Sequence, residues 1–74
     1  MSNRSSPVLP LAPIEKLIRT GSGAPRVSAS ATEAMEKVLS EIGFKISERA
    51  AHLSKHAGRK TIKEEDIKLA AKDV

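Results

Sequence analysis

The long central segment of the sequence places the strongest constraint on the fold. Between residues 29 and 57, apolar side chains recur at spacings of three and four, which is the period of one face of an α-helix. The members of this stripe are Ala31, Met35, Val38, Leu39, Ile42, Ile46, Ala50, Leu53 and Ala57. Only Gly43 interrupts the helix-forming residues, and a close crossing with another helix is one reason to keep a glycine there. The pattern predicts a single helix about 43 Å long.

A shorter helix is predicted before the central one. Proline suits the first helical position, where its missing N–H would have no partner, so we expect this helix to begin at Pro13. Gly21 and Gly23 follow as stop signals. The start of the long helix has two candidate caps, Ser28 and a capping box over residues 30–33. The apolar face of the first helix consists of Ile14, Leu17 and Ile18.

A third helix is predicted after a short basic loop. Gly58 ends the long helix as the first residue beyond it, because glycine tolerates the left-handed conformation that helix ends require. Thr61 and Glu64 have the spacing of a capping box, so the third helix begins there and runs to about Lys72.

The lengths of these three helices indicate a second chain. Two short helices cannot cover an apolar stripe about eight turns long, so the rest of the stripe must be buried against a partner. The chain has 74 residues, no cysteine and one aromatic residue, so neither disulfides nor a large aromatic core can stabilise it alone. We therefore predict an all-α dimer of short, long and short helices.

Several function classes are excluded by what the sequence lacks. Residues 1–11 are rich in Ser and Pro without periodicity, which predicts a flexible tail followed by one domain over residues 12–74. No apolar run approaches the roughly 20 residues of a membrane helix and no secretory signal is visible, so we expect a soluble intracellular protein. His52 and His56 lie one turn apart without a third ligand, so we expect no metal or other cofactor. With no catalytic constellation, we expect neither an enzyme nor a small-molecule substrate.

Basic residues collect in two regions of the chain. Residues 1–27 hold four basic side chains and one acidic one, and residues 58–63 hold three basic side chains and no acidic one. Both loops precede helix N-termini, whose free N–H groups and dipoles favour phosphate. Because no aromatic residue is interleaved with these cations, stacking on single-stranded bases is not available. We infer that these basic residues contact the backbone of duplex DNA. The alternative is that they form an ordinary solvated surface.

Four short motifs resemble archaeal histones, and the resemblance covers about residues 9–73. The motifs are Pro10-Leu-Ala-Pro-Ile14, Arg26-Val-Ser28, Lys55-His-Ala-Gly-Arg-Lys-Thr-Ile-Lys63 and Glu65-Asp-Ile67. The resemblance implies a histone fold in which two chains form an antiparallel handshake homodimer, or a heterodimer with a paralogue. It also implies a chromatin protein of the cytoplasmic nucleoid that wraps and compacts double-stranded DNA and assembles its dimers further.

The resemblance implies which residues contact DNA. Arg26 matches the loop arginine that enters the minor groove, and Thr61 matches its threonine partner from the second loop. Arg59 matches a DNA-backbone contact of the second loop, but with Asp66 it also matches a buried ion pair of the fold. Thr61 is likewise also a good N-cap. The other assigned DNA contacts lie on the first helix, in the Arg-Val-Ser motif or around the second loop. They are Lys16, Arg19, Ser28, Lys60 and Lys63.

A further set of four residues matches the contact through which histone dimers join one another. A His–Asp pair across that contact would make assembly sensitive to pH. The two leucines of the set are alternatively ordinary core residues. Departures from the family pattern include a first loop one residue longer, with Pro25 before Arg26, and Phe44 on the polar side of the long helix. Phe44 is either a harmless exposed residue or a contact between dimers. The residues assigned to the dimer–dimer contact are Leu53, His56, Asp66 and Leu69.

A second function remains open from the sequence. A histone-fold subunit of a transcription complex would act by heterodimerisation and would wrap DNA weakly or not at all. The presence of Arg26, Lys60 and Thr61 together favours the chromatin protein.

Overall fold

The structure, a computed structural model, describes residues 8–74. It contains the helices α1 (Leu11–Ser22), α2 (Ala29–His56) and α3 (Glu64–Ala71), and residues 8–74 form no strand. The order short, long, short confirms the predicted all-α pattern. None of these helices is long and apolar enough to cross a membrane. Most of the predicted tail, residues 1–7, lies outside the described residues.

Helix α1 begins earlier and ends later than the sequence predicts. Pro10 is its N-cap and Leu11 its first residue, so Pro13 occupies the third helical position, where a missing N–H also costs no helical hydrogen bond. Leu11 belongs to the segment that we predicted as a tail. Gly21 remains helical, and Gly23 alone ends the helix, with a φ of 72° and its N–H donating to the carbonyl of Arg19 at 2.9 Å.

Helix α2 is defined by one residue at each end. Ser28 Oγ accepts the backbone N–H of Ala31 at 3.0 Å, so Ser28 is the cap and residues 30–33 lie inside the helix. At the other end Gly58 has a φ of 74°. Its N–H donates to the carbonyl of Lys55 at 2.9 Å, and the N–H of Arg59 donates to that of Ser54 at 3.0 Å. This pair of hydrogen bonds is a Schellman motif, as predicted for Gly58.

The chain divides into two units that meet within α2. The first, described from residue 8 to Ser40, contains α1 and the beginning of α2, and its buried apolar side chain is Ile14. The second, Glu41–Val74, contains the rest of α2 and α3, and its buried apolar side chains are Ala50 and Ala70. Large apolar side chains remain exposed in both units, as expected of a protein that folds with another chain. They are Val8, Leu11, Leu17 and Val38 in the first and Ile42, Ile62, Ile67, Leu69 and Val74 in the second.

Phe44 is less exposed than its position on the polar side of α2 suggested. The residue is half-buried rather than fully exposed. The period of the main apolar stripe therefore does not account for every apolar contact of α2.

Candidate nucleic-acid interface

The second loop, residues 57–63, is held by a bidentate ion pair. Arg59 Nη1 lies 3.0 Å from Asp66 Oδ2, and Arg59 Nη2 lies 2.8 Å from Asp66 Oδ1. Arg59 Nη1 also donates to the carbonyl of Thr61 at 3.0 Å. The side chains are 25% and 5% exposed for Arg59 and Asp66, respectively. Of the two roles predicted for Arg59, this geometry supports the one in which the arginine braces the loop.

A buried serine on α2 supports the same loop from within. Ser54 Oγ lies 3.1 Å from the carbonyl oxygen of Arg59 and 2.9 Å from that of Thr61, so its single hydroxyl hydrogen is shared between them. Ser54 is 3% exposed. Two carbonyls of an otherwise solvated loop are thus tied to the last turn of α2. Sequence reasoning missed Ser54, because a serine near a helix end carries no signal of where its hydroxyl points.

The start of α3 differs from the predicted capping box. Lys63 is the N-cap, and its backbone N–H donates to Asp66 Oδ2 at 2.8 Å. The predicted box of Thr61 and Glu64 is therefore wrong, and Thr61 does not cap the helix. The physical reason is that Asp66, already fixed by Arg59, occupies the third helical position and accepts the N–H of Lys63.

The same contacts shift the acid–base equilibrium of the pair. The hydrogen bonds from Arg59, and next that from the Lys63 N–H, lower the pKa of Asp66 to about 2. The hydrogen bond to Asp66 in turn raises the pKa of Arg59. Both groups are therefore charged throughout the neutral range.

The braced loop leaves its other polar groups exposed. Lys60 and Lys63 are exposed and form no ion pair with a described residue, and the hydroxyl of Thr61 makes no hydrogen bond within residues 8–74. A rigid loop that presents two ammonium groups and a hydroxyl is suited to phosphate oxygens.

The predicted contacts of the first unit lie on α1 and in the first loop, residues 23–28. Lys16 and Arg26 are exposed, and neither forms an ion pair with a described residue. Arg19 is also exposed, and its Nη2 lies 2.6 Å from Glu15 Oε2 one turn earlier. Ser28 caps α2 and its hydroxyl lies 3.3 Å from that of Ser30. Arg26 and Thr61 belong to different units, and their pairing across a dimer stays a prediction.

Only part of the predicted dimer–dimer set is brought together. Leu53 and His56 line one groove of about 410 Å³ with Arg49 and His52. Leu69 is 52% exposed and available to a partner. Asp66 is 4% exposed, and both its carboxylate oxygens are engaged by Arg59. Within this chain Asp66 therefore serves to hold the second loop through Arg59.

The first unit contains a cluster of hydrogen bonds around Glu36 that the sequence analysis missed. Glu36, on α2, is 4% exposed. Its Oε2 accepts the Ser40 hydroxyl at 2.6 Å, the Val8 N–H at 2.8 Å and the Leu9 N–H at 3.3 Å. The hydrogen bond from Ser40, followed by that from Val8, lowers the pKa of Glu36. In the sequence Glu36 looks like any solvent-facing acid on α2, and only Ser40 at i+4 hints at a partner.

Comparison with known proteins gives consistent matches over most of the chain. A sequence profile of the family described as histone-like transcription factor (CBF/NF-Y) and archaeal histone matches residues 7–71. One subunit of the archaeal histone HAN1 of Thermococcus zilligii is 47% identical over 64 residues, which cover 86% of this chain and 94% of that protein. The probable archaeal histone 3 of Methanocaldococcus jannaschii is 42% identical over 62 residues, 84% of this chain and 91% of that protein.

Proposed function

Because the chain belongs to the family of histone-like transcription factors (CBF/NF-Y) and archaeal histones, we propose that it is a DNA-binding chromatin protein. In this function two chains pair through the handshake arrangement of the histone fold, and the dimer wraps and compacts duplex DNA with little sequence preference. The protein acts on the chromosome in the cytoplasm. It is not an enzyme and needs neither a cofactor nor a small-molecule substrate.

The observation that carries this proposal is the braced second loop. Arg59, Asp66 and Ser54 fix the backbone of the loop, while Lys60 and Lys63 stay exposed beside it. A rigid loop whose exposed cations form no ion pair with a described residue is suited to an anionic partner. A protein that must fit regularly spaced phosphates gains from this rigidity, because little side-chain and loop entropy is then lost on binding.

Binding is expected to use three positive patches on each dimer. Two consist of paired loops, one at each end, where Arg26 enters the minor groove beside Thr61. The third consists of the paired first helices, which present Lys16 and Arg19 to phosphates in the middle. Since these contacts read the backbone, bendable sequences are preferred only through their lower deformation energy. The loop contacts are completed by Ser28, Lys60 and Lys63.

Dimers are expected to assemble further on DNA. Leu53 and His56 share one groove, and Leu69 is exposed on α3, so these residues offer a surface for a second dimer. Both carboxylate oxygens of Asp66 already accept hydrogen bonds from Arg59, so Asp66 contributes to this contact only through its remaining lone pairs. The partner in the dimer is a second copy of this chain or a paralogue. All of these contacts lie within the proposed domain, residues 12–74, to which the helical Leu11 is added.

Nuclease digestion of long duplex DNA saturated with the purified protein tests the proposal. Protected fragments that grow by regular increments are expected, because successive dimers wrap adjacent DNA. Protection at one dimer-sized length would keep the DNA function and remove the further assembly. Absence of protection at low salt would overturn the chromatin function and point to a heterodimerising subunit of a transcription complex.

A further inference from the structure

Glu36 joins two segments that the helix pattern alone would leave independent. Its Oε2 accepts the backbone N–H groups of Val8 and Leu9, the two residues that precede the N-cap of α1. Its other partner, Ser40, lies one turn further along α2 at 2.6 Å. A carboxylate that is only 4% exposed is costly unless such donors surround it. The residue thus fastens the chain entering α1 onto α2.

Helix α1 has few other restraints at this end. Its N-cap, Pro10, offers no side-chain hydrogen bond, and its first turn contains no acidic residue. Ile14 is the buried apolar side chain that packs α1 within the first unit. Its other packed side chains, such as Ile18, are only half-buried, so α1 can still pivot about Ile14, whereas an attachment before its first turn fixes its direction.

We propose that Glu36 is a positioning residue for DNA binding: by fastening residues 8–9 to α2 it sets the direction of α1, and so the placement of Lys16 and Arg19 on the DNA. The inference rests on the proposed function, because α1 must contact DNA for its direction to matter. Glu36 itself touches no DNA.

The proposal and simple electrostatics predict opposite effects of losing Glu36 on the affinity for DNA. Removing a negative charge from a DNA-binding protein strengthens its attraction to phosphates. Loss of the fastening instead releases α1 and weakens the contacts made by Lys16 and Arg19. Glu33 is the matched control, since it is an exposed glutamate one turn earlier on the same helix.

The experiment compares the full chain with its Glu36→Ala, Glu36→Gln and Glu33→Ala variants by two measurements. The first is amide hydrogen exchange at Val8 and Leu9 without DNA, which should be about tenfold faster in Glu36→Ala. The second is hydroxyl-radical footprinting on duplex DNA. Glu36→Ala should lose protection at the centre of each dimer site and keep it at the ends, while the salt dependence falls by about one unit for each phosphate that is no longer bound.

Glutamine separates geometry from charge. Glu36→Gln loses the same charge as Glu36→Ala but keeps an oxygen that accepts N–H groups, so it should recover most of the amide protection and central footprint. The Glu33→Ala variant should keep the amide protection and the central footprint unchanged, or bind DNA slightly more tightly. If Glu36→Ala does not fold, Ser40→Ala replaces it, since that change removes one donor to the carboxylate and leaves the charge in place.

Three results would overturn the inference. One is unchanged exchange at Val8 and Leu9 in Glu36→Ala, which would mean that the fastening is absent. Another is an equal footprint change in Glu33→Ala and Glu36→Ala, which would assign the effect to charge. The third is faster exchange with an intact central footprint, in which case the DNA function stands and only the positioning role fails. If the unmodified protein gives no footprint, the proposed function fails with it, while the exchange data still decide whether the fastening exists.

Discussion

The guanidinium of Arg59 and the carboxylate of Asp66 meet as two planar groups joined by two nearly equal hydrogen bonds, of 2.8 and 3.0 Å. The pair connects the second loop to the first turn of α3, between residues seven positions apart in the chain. A third hydrogen bond links the same guanidinium to the backbone of Thr61. Because this geometry requires a planar fork of N–H groups, charge alone cannot reproduce it.

Arg59→Lys should therefore destabilise the protein although the charge is kept. We expect the Tm measured without DNA to fall by several degrees, because a lysine cannot make both hydrogen bonds to Asp66 and a third to Thr61. Arg49→Lys is the matched control, since Arg49 pairs with Asp73 where both side chains are more than half exposed, and such pairs contribute little. Equal losses in the two variants would contradict the brace.

Asp66 should make stability fall at acid pH. Its pKa is about 2 in the folded protein against an ordinary value of 3.8, so the unfolded chain binds the proton more readily. The stabilisation is fully present above about pH 4 and is lost as the pH falls through about 2. Urea unfolding across this range should show a shallower pH dependence in Asp66→Asn than in the unmodified protein. The same substitution at Asp73, whose side chain is more than half exposed, is the matched control. An unchanged slope in Asp66→Asn would refute the assignment.

Arg26→Ala and Lys60→Ala should weaken DNA binding on all duplex sequences alike. Each removes a contact with the backbone or groove wall, so the slope of binding against salt should fall by about one unit as well. Lys68→Ala serves as control, because Lys68 is an exposed cation on α3 that already pairs with Glu64. The measurement is fluorescence anisotropy on two unrelated duplexes at several salt concentrations. A loss confined to one duplex would argue for base-specific contact instead.

Changes at the groove of Leu53 and His56 should separate dimer formation from further assembly. Leu53→Ala and His56→Ala are expected to leave the dimer intact and to remove larger particles on DNA. Sedimentation of the protein alone and bound to long DNA measures the two steps separately. Lys55→Ala, at the exposed residue next to His56, is the control. Variants that still assemble fully would show that dimers join elsewhere.

Gly43→Ala should report whether a partner crosses the middle of α2. Nothing in the chain lies within 4 Å of a Cβ built at Gly43, so in an isolated helix alanine would stabilise by about 1 kcal/mol. If the two long helices of a handshake dimer cross near this residue, the substitution is expected to weaken the dimer. Gly21→Ala is the control, because Gly21 is also helical with open space around it. Stabilisation by both changes would place the crossing elsewhere.

The sequence predicted the elements that follow from periodicity and stop signals. The apolar stripe and Gly58 determined α2 closely, and the family motif identified the pairing of Arg59 with Asp66. The errors occurred where several residues compete for one role. Thr61 has the chemistry of a cap, but Asp66 is held three residues after Lys63 by a partner that no local pattern encodes. Similarly, Pro13 suits any position in the first turn, so it could not define where α1 begins.

Contacts made by single polar groups over long separations were not predictable. Glu36 accepts N–H groups from residues 27 and 28 positions earlier, and apart from Ser40 at i+4 nothing in the sequence distinguishes it from a solvated acid on a helix. Likewise, no sequence pattern identifies Ser54, because its role depends on the path of the loop that it holds.

The bare apolar side chains of the single chain, such as Val38 and Ile42, have a consequence for how its amount in a cell is set. A protein whose core is completed by pairing often has no stable folded monomer, so its stability depends on its own concentration. Unfolded chains are removed by proteases, whereas paired ones persist. At low expression the pool of usable protein therefore grows with the square of synthesis rather than in proportion to it. A modest change in transcription would then shift the chromosome between sparse and dense coverage.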